Sequence, residues 1–216
     1  MTSQTPSSKV KKSLSIILEM LSYRNLSNAK SFTNAIKQLR DYIEQEKWHH
    51  DLIKNDFFID VDNIRIIYNL DEKWDPRQLK QNRMQVLNHK NEKVERYLIV
   101  LTKPVVKTLL GRNTETIDYI HKSKKIGEIF HLDELQYNLT KHFLVPKHER
   151  IEDEKMKESL LNDFELKALS QFPLILSSDP VARFIGAKPG DLIKITRVQN
   201  QVGEHIVYRY CVLDLR

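Results

Sequence analysis

Residues 172–209 carry the densest backbone punctuation in the chain, and any fold must accommodate it. Three of the five glycines (Gly186, Gly190, Gly203) and three of the seven prolines (Pro173, Pro180, Pro189) lie there. Ser178 or Asp179 offers a side-chain oxygen to the free N–H groups of a first helical turn. Pro180 follows at the position where its missing N–H is no loss. Val181, Phe184 and Ile185 form an apolar stripe at helical spacing, and Gly186 suits a left-handed stop. Pro189-Gly190 fits the centre of a type II turn, because Pro presets φ and Gly accepts φ > 0. Beyond it, Leu192–Arg197 and His205–Val212 read as two strands joined through Gly203. The expectation is a capped helix feeding a terminal β-hairpin, with no catalytic constellation inside it.

Upstream, Met1–Ser8 is Ser/Thr/Pro/Gln-rich and reads as a disordered tail. Val10, Leu14, Ile17, Leu18 and Leu21 mark an amphipathic helix, and Phe32, Ile36, Leu39 and Ile43 a second. Phe57–Asp60 and Ile64–Leu70 read as strands, and Asp71–Glu95 as a polar excursion. Tyr97–Leu101 is a continuous apolar run, expected of a strand covered on both faces. Helical segments are expected at Val105–Leu110, Ile117–His121, Asp133–Lys141 and Asp153–Phe164, and a strand at Ile126–Phe130. Helices alternating with apolar strands indicate an α/β domain with a partly parallel sheet. The resulting division is a tail over 1–8, an α/β domain over 9–141 and a small α+β domain over 142–216.

Charge divides along the same line. Residues 142–216 hold 11 Lys+Arg and 11 Asp+Glu, so the net +6 of the chain resides in residues 1–141. A neutral C-terminal domain suits burial against a protein partner, and a basic N-terminal one suits a place near polyanion. No apolar run reaches membrane-spanning length, and residues 1–12 lack the apolar core of a secretory signal. The single cysteine, Cys211, forms no intramolecular disulfide, fits a reducing compartment and reads as a small core hydrophobe.

Candidate chemistry is sparse. Asp60 and Asp62 precede one strand and Asp71-Glu72-Lys73 follows it, the arrangement a Mg²⁺-dependent nuclease would use. Acids also flank strands because turns are solvated, and that account is preferred. The histidines lack zinc-ligand spacing and read as surface or capping groups. No Gly-rich phosphate loop and no nucleophile elbow occurs, so no cofactor, metal or catalytic residue is assigned. Lys73, Arg77, Lys80 and Arg83 make the polar excursion basic, and Lys103 and Lys107 flank Pro104. Ile185, Ile193 and Val207 are expected in the core. Arg183, Arg197, Tyr208 and Arg209 are expected at an interface, since Arg and Tyr suit desolvated, hydrogen-bonded surfaces.

Ser178-Asp179-Pro180-Val181-Ala182-Arg183-Phe184, with Gly186, Gly190, Lys194-Ile195, Arg197, Gly203 and Tyr208-Arg209, resembles the C-terminal domain of the fifth subunit of eukaryotic nuclear RNA polymerases. The small archaeal polymerase subunit that corresponds to this domain alone is similar to the same stretch. Asn138-Leu139-Thr140-Lys141-His142-Phe143-Leu144-Val145-Pro146-Lys147-His148 resembles that family's interdomain junction. Within the first 95 residues the likeness is one of layout. The resemblance implies an α/β N-terminal jaw-like domain and an α+β C-terminal assembly domain ending in a β-hairpin. It further implies a non-catalytic structural subunit of a multisubunit DNA-dependent RNA polymerase. Expected partners are the largest subunit, bound through Asp179, Arg183, Lys194, Arg197, Tyr208 and Arg209, and neighbouring small subunits. Downstream duplex DNA would be held weakly and without sequence preference near Lys73, Arg77, Thr102, Lys103 and Lys107. Neither a membrane nor a second copy of the chain is expected as a partner. Two loops depart from the family pattern, at Val198–Gly203 and Thr102–Val106. Those departures favour the polymerase of a large DNA virus, placing the chain in a virion or cytoplasmic factory; a cellular counterpart would be nuclear. The reading of a different class is a nuclease or free-standing nucleic-acid-binding protein using Asp60, Asp71 and Lys73.

Overall fold

The computed structural model describes residues 6–27, 32–51, 56–70, 94–102, 126–199 and 203–213. They fall into two compact units, residues 1–18 with 32–137 and residues 19–31 with 138–216. Helix α1 (Pro6–Ser27) starts inside the stretch read as tail. It buries the apolar stripe at Val10, Leu14, Ile17 and Leu21, and with it Ser13 and Arg24.

In the first unit, α2 (Thr33–Glu44) and a single turn, α3 (Trp48–Asp51), precede a four-stranded sheet. Its strands are β1 (Asp56–Val61), β2 (Ile64–Asn69), β3 (Arg96–Leu101) and β4 (Ile126–His131), in that spatial order. β1 and β2 form an antiparallel hairpin, whereas β2–β3 and β3–β4 pair in parallel. The partly parallel sheet therefore matches the α/β expectation. Parallel neighbours require crossovers. Residues 71–93 and 103–125 lie outside the described residues, and with them all of the polar excursion but Val94 and Glu95 and the helices expected at 105–110 and 117–121.

All of β3 from Tyr97 onward is buried, as an apolar run covered on both faces should be. One face gathers Ile67, Tyr97, Ile99 and Leu101, with Phe58 and Ile129 packed against them. On the opposite face the rings of Phe57 and Tyr68 stack at 4.9 Å. The Tyr68 hydroxyl lies 2.7 Å from the Ser13 hydroxyl of α1, which satisfies two buried polar groups at once.

The expected helix at Asp133–Lys141 is instead two short 3₁₀ turns, Leu132–Gln136 and Leu139–Lys141. Tyr137 is extended between them, at φ −152° and ψ 153°. Local side chains outcompete the helix here. His131 Nδ1 accepts from the Asp133 N–H, and Asn138 Oδ1 accepts from the Thr140 N–H and hydroxyl.

The second unit contains β5 (Lys147–Ile151), α4 (Glu154–Asp163), β6 (Leu174–Leu176), α5 (Pro180–Ile185), β7 (Leu192–Gln199) and β8 (Gly203–Val212). Its sheet order is β5-β7-β8-β6. The expected terminal hairpin is present, but it occupies the centre of the sheet rather than an edge. β5 flanks it antiparallel and β6 parallel. Helices cover both faces. Ile193, Ile195 and Cys211 pack with Ala182 and Ile185 of α5 on one side. Leu192 packs with Leu160 of α4, Ile151 and Phe172 on the other. Each large side chain so buried contributes about 1.5–3 kcal/mol before entropy is charged. Among the described residues, no helix is long and apolar enough to cross a membrane.

Candidate functional site

The second unit holds the residues with the strongest expectation of a partner. Asp179 is the N-cap of α5, its Oδ1 accepting from the N–H groups of Val181 (2.8 Å) and Ala182 (3.1 Å). Pro180 is the first helical residue, and Gly186 ends the helix at φ +71°. The Asp191 N–H donates to the Lys188 carbonyl at 3.0 Å across Pro189-Gly190, with Gly190 at φ +98°. That is the geometry of a type II turn. Its two arms are locked to the sheet, because Gly190 N–H donates to the Cys211 carbonyl and Cys211 N–H to the Asp191 carbonyl.

Strand alternation sorts the six expected interface residues onto two faces. Arg197 and Arg209 share the α5 face with Ile193, Ile195 and Cys211, and Asp179, the N-cap of α5, acts with them on the imidazole of His148. Lys194 and Tyr208 are cross-strand partners on the opposite face. The structure thus brings Asp179, Arg197 and Arg209 together and sets the Lys194–Tyr208 pair on the other face.

Several of the six already have intramolecular roles. The Arg209 guanidinium donates to the Leu174 carbonyl of β6 at 3.0 Å. The Tyr208 ring sits 5.8 Å from Phe164 and 6.0 Å from Phe172, an aromatic cluster closing α4 onto the sheet. Arg183 is half-buried and its carbonyl accepts from Arg24 Nη2 at 2.6 Å. Arg197, by contrast, is exposed. Ile185 and Ile193 are core residues and Val207 packs against that core, as expected.

His148 lies on the α5 face, opposite Ile195 in β5–β7 pairing, and is 8% exposed. Burial holds its imidazole below the ordinary histidine value. The Pro146 carbonyl, which accepts from Nδ1–H at 2.7 Å, and the Asp179 carboxylate work against that shift, and Arg197 and Arg209 reinforce it. The Pro146 carbonyl holds a proton on Nδ1 of the His148 ring, which sits among Asp179, Arg197 and Arg209. The sequence pattern Pro146-Lys147-His148 gave no sign of this burial, because it follows from β5 pairing with β7.

In the first unit, Thr102 is the one DNA-proximal candidate within the described residues. Its carbonyl accepts from His131 Nε2–H at 2.7 Å, which leaves Nδ1 as the acceptor for the Asp133 amide. Lys73, Arg77, Lys103 and Lys107 lie outside the described residues. Of the acids considered for metal-assisted hydrolysis, Asp60 is held by both arms of the buried Arg65 guanidinium, at 2.5 and 2.7 Å. Asp62 occupies the left-handed corner of the β1–β2 turn at φ 52°, and Asp71 lies outside the described residues. Among the described residues, no group of three His, Cys, Asp or Glu is placed to hold a metal ion. Cys211 is fully buried, and burial pushes its thiol up to about 11, with Asp191 and Asp179 adding to the shift.

Comparison with known proteins matches residues 137–211 to the family described as RNA polymerase Rpb5, C-terminal domain. The DNA-directed RNA polymerase subunit Rpo5 of Sulfurisphaera tokodaii is 47% identical over 73 residues, covering 34% of this chain and 84% of the archaeal one. The DNA-directed RNA polymerases I, II, and III subunit rpabc1 of Dictyostelium discoideum is 44% identical over 92 residues, 42% of this chain and 46% of that protein. The polymerases IV and V subunit 5B of Arabidopsis thaliana is 39% identical over 85 residues, 39% of this chain and 38% of the plant protein.

Proposed function

The chain belongs to the Rpb5/Rpo5 family and is a subunit of a multisubunit DNA-directed RNA polymerase, and from that premise we propose how it works within the enzyme. It is a non-catalytic structural subunit. Residues 142–216 anchor it to the largest subunit, and residues 9–141 form part of the jaw around downstream DNA.

The observation that carries the reading is the α5 face of the second unit. It gathers Asp179, Arg197 and Arg209 on one side of a sheet whose centre is the terminal hairpin. Arginine forks at a desolvated boundary favour carboxylates and backbone carbonyls of a protein partner. Lys194 and Tyr208, on the opposite face, belong to a second contact area or to the fold itself. The jaw role draws on the charge division, since the whole net +6 resides in residues 1–141. Such a surface attracts phosphates without reading bases and loses its grip as salt rises.

Affinity purification of the tagged chain from its native source, followed by mass spectrometry, tests the anchor. Large polymerase subunits in stoichiometric yield, lost when the chain is cut at Pro146, are expected. Full recovery of those subunits by the truncated chain refutes a C-terminal anchor, and a chain that purifies alone refutes the subunit role.

A further inference from the structure

We infer that Arg24 is a capping clamp on α5, and that through it residues 19–27 of α1 form an integral part of the C-terminal unit. The stretch recognised by similarity begins at residue 137. The clamp therefore reaches the unit from more than a hundred residues upstream, and it concerns the unit's own construction rather than the identity of its partner.

The Arg24 side chain is 2% exposed. Its Nε donates to the Phe184 carbonyl at 2.9 Å and its Nη2 to the Arg183 carbonyl at 2.6 Å. These carbonyls belong to the last turn of α5, which carries partial negative charge; the Arg183 carbonyl also accepts from the Gly186 N–H at 3.1 Å, and the Phe184 carbonyl lies where intrahelical donors run out. A buried guanidinium is costly unless its donors are satisfied. Here the helix end and the cation each answer the other's deficit.

Gly186 makes room for this arrangement. A Cβ built there would lie 2.9 Å from Arg24 Nε and 3.2 Å from Cζ. The glycine thus answers two demands at one position, its left-handed φ of +71° and the passage of the guanidinium.

Two neighbours on α1 tie the same segment down elsewhere in the unit. The Tyr23 hydroxyl donates to the His148 carbonyl at 2.6 Å, and its ring meets Phe184 edge-on at 6.1 Å. The Glu19 carboxylate accepts from Asn138 Nδ2 at 2.7 Å and Lys141 Nζ at 2.8 Å. Glu19, Tyr23 and Arg24 thereby join the 3₁₀ turn at Leu139–Lys141, the start of β5 and the end of α5.

The test is residue-resolved amide hydrogen exchange on the full-length chain carrying Arg24→Met. The Gly186 and Ala187 amides, which donate to the Arg183 and Ala182 carbonyls, report on the last turn of α5. A lost hydrogen bond to a charged group predicts exchange there about ten- to a hundredfold faster. Ile66 and Leu98 in the first unit should change by less than about twofold. Unchanged exchange at Gly186 and Ala187, or equal acceleration in both units, overturns the inference. If the methionine variant does not accumulate folded, Gly186→Ala is measured with arginine and with lysine at position 24. The backbone strain is common to both backgrounds, so a smaller loss of protection beside lysine supports the clamp. Equal losses overturn it.

Discussion

Tyr208 separates a role in packing from a role in binding. Its ring lies 5.8 Å from Phe164 and 6.0 Å from Phe172. Truncating a fully buried aromatic to alanine costs about 3–5 kcal/mol. Tyr208 is half-buried, so about half of that applies, and losing two aromatic pairs adds about 1 kcal/mol. Tyr208→Ala should therefore destabilise the second unit by about 2.5–3.5 kcal/mol. Under conditions where exchange reports the opening equilibrium, protection at Ile193, Ile195 and Val207 should fall by about 70- to 370-fold. Tyr208→Phe keeps the ring and should change protection less than about threefold. If the phenol hydroxyl serves the interface, the Phe variant alone will weaken recovery of the large polymerase subunits while leaving protection intact. A loss below about fivefold for the alanine variant, or equal losses for both, would refute the packing argument.

Asp179→Ala removes the acceptor for two amides and should cost about 1 kcal/mol, seen as faster exchange at Val181 and Ala182, whereas Asp179→Ser should recover most of it. Burial depresses the His148 pKa below 6.5, so the folded unit binds fewer protons than the unfolded chain. That stabilisation is complete above the unfolded value and is lost as pH falls below about 6.5 through the depressed folded value. The urea midpoint of the second unit should drop between about pH 7 and pH 5, and His148→Gln should flatten the drop; an unaltered slope would refute the assignment. Cys211, fully buried with its thiol pushed up to about 11, should react with thiol reagents at mildly alkaline pH only as fast as the unit opens. A burst of labelling in the native chain would contradict this.

What the sequence revealed follows from the range of the forces involved. The cap at Asp179, Pro180 at the helix start, the Gly186 stop and the Pro189-Gly190 turn are all written within a dozen residues, and each is present. β5 and β6 escaped notice for the opposite reason. Lys147-His148-Glu149-Arg150-Ile151 is too polar to read as a strand, and Leu174-Ile175-Leu176 is too short. Both are strands because β7 and β8 supply their ladders. The helix expected at Asp133–Lys141 failed because His131 and Asn138 redirect the local amides. Arg24 was invisible as a functional residue, since its acceptors lie 159 and 160 positions away. Sorting the interface candidates onto two faces likewise needed the β7–β8 register, which composition does not specify.

The central place of the β7–β8 hairpin has a consequence during synthesis. Among the described residues β5 pairs with β7 alone, and β6 with β8 alone. As the chain emerges from the ribosome, both early strands must wait for later ones, and β6 waits until Tyr210–Val212 have appeared. Until then their backbone donors and acceptors are open to any neighbouring strand, the condition under which nascent chains aggregate. Completion of the sheet therefore depends on its final strand. A ribosome stalled inside β8 would present a chain in which β5 and β7 can already pair while β6 still lacks its partner.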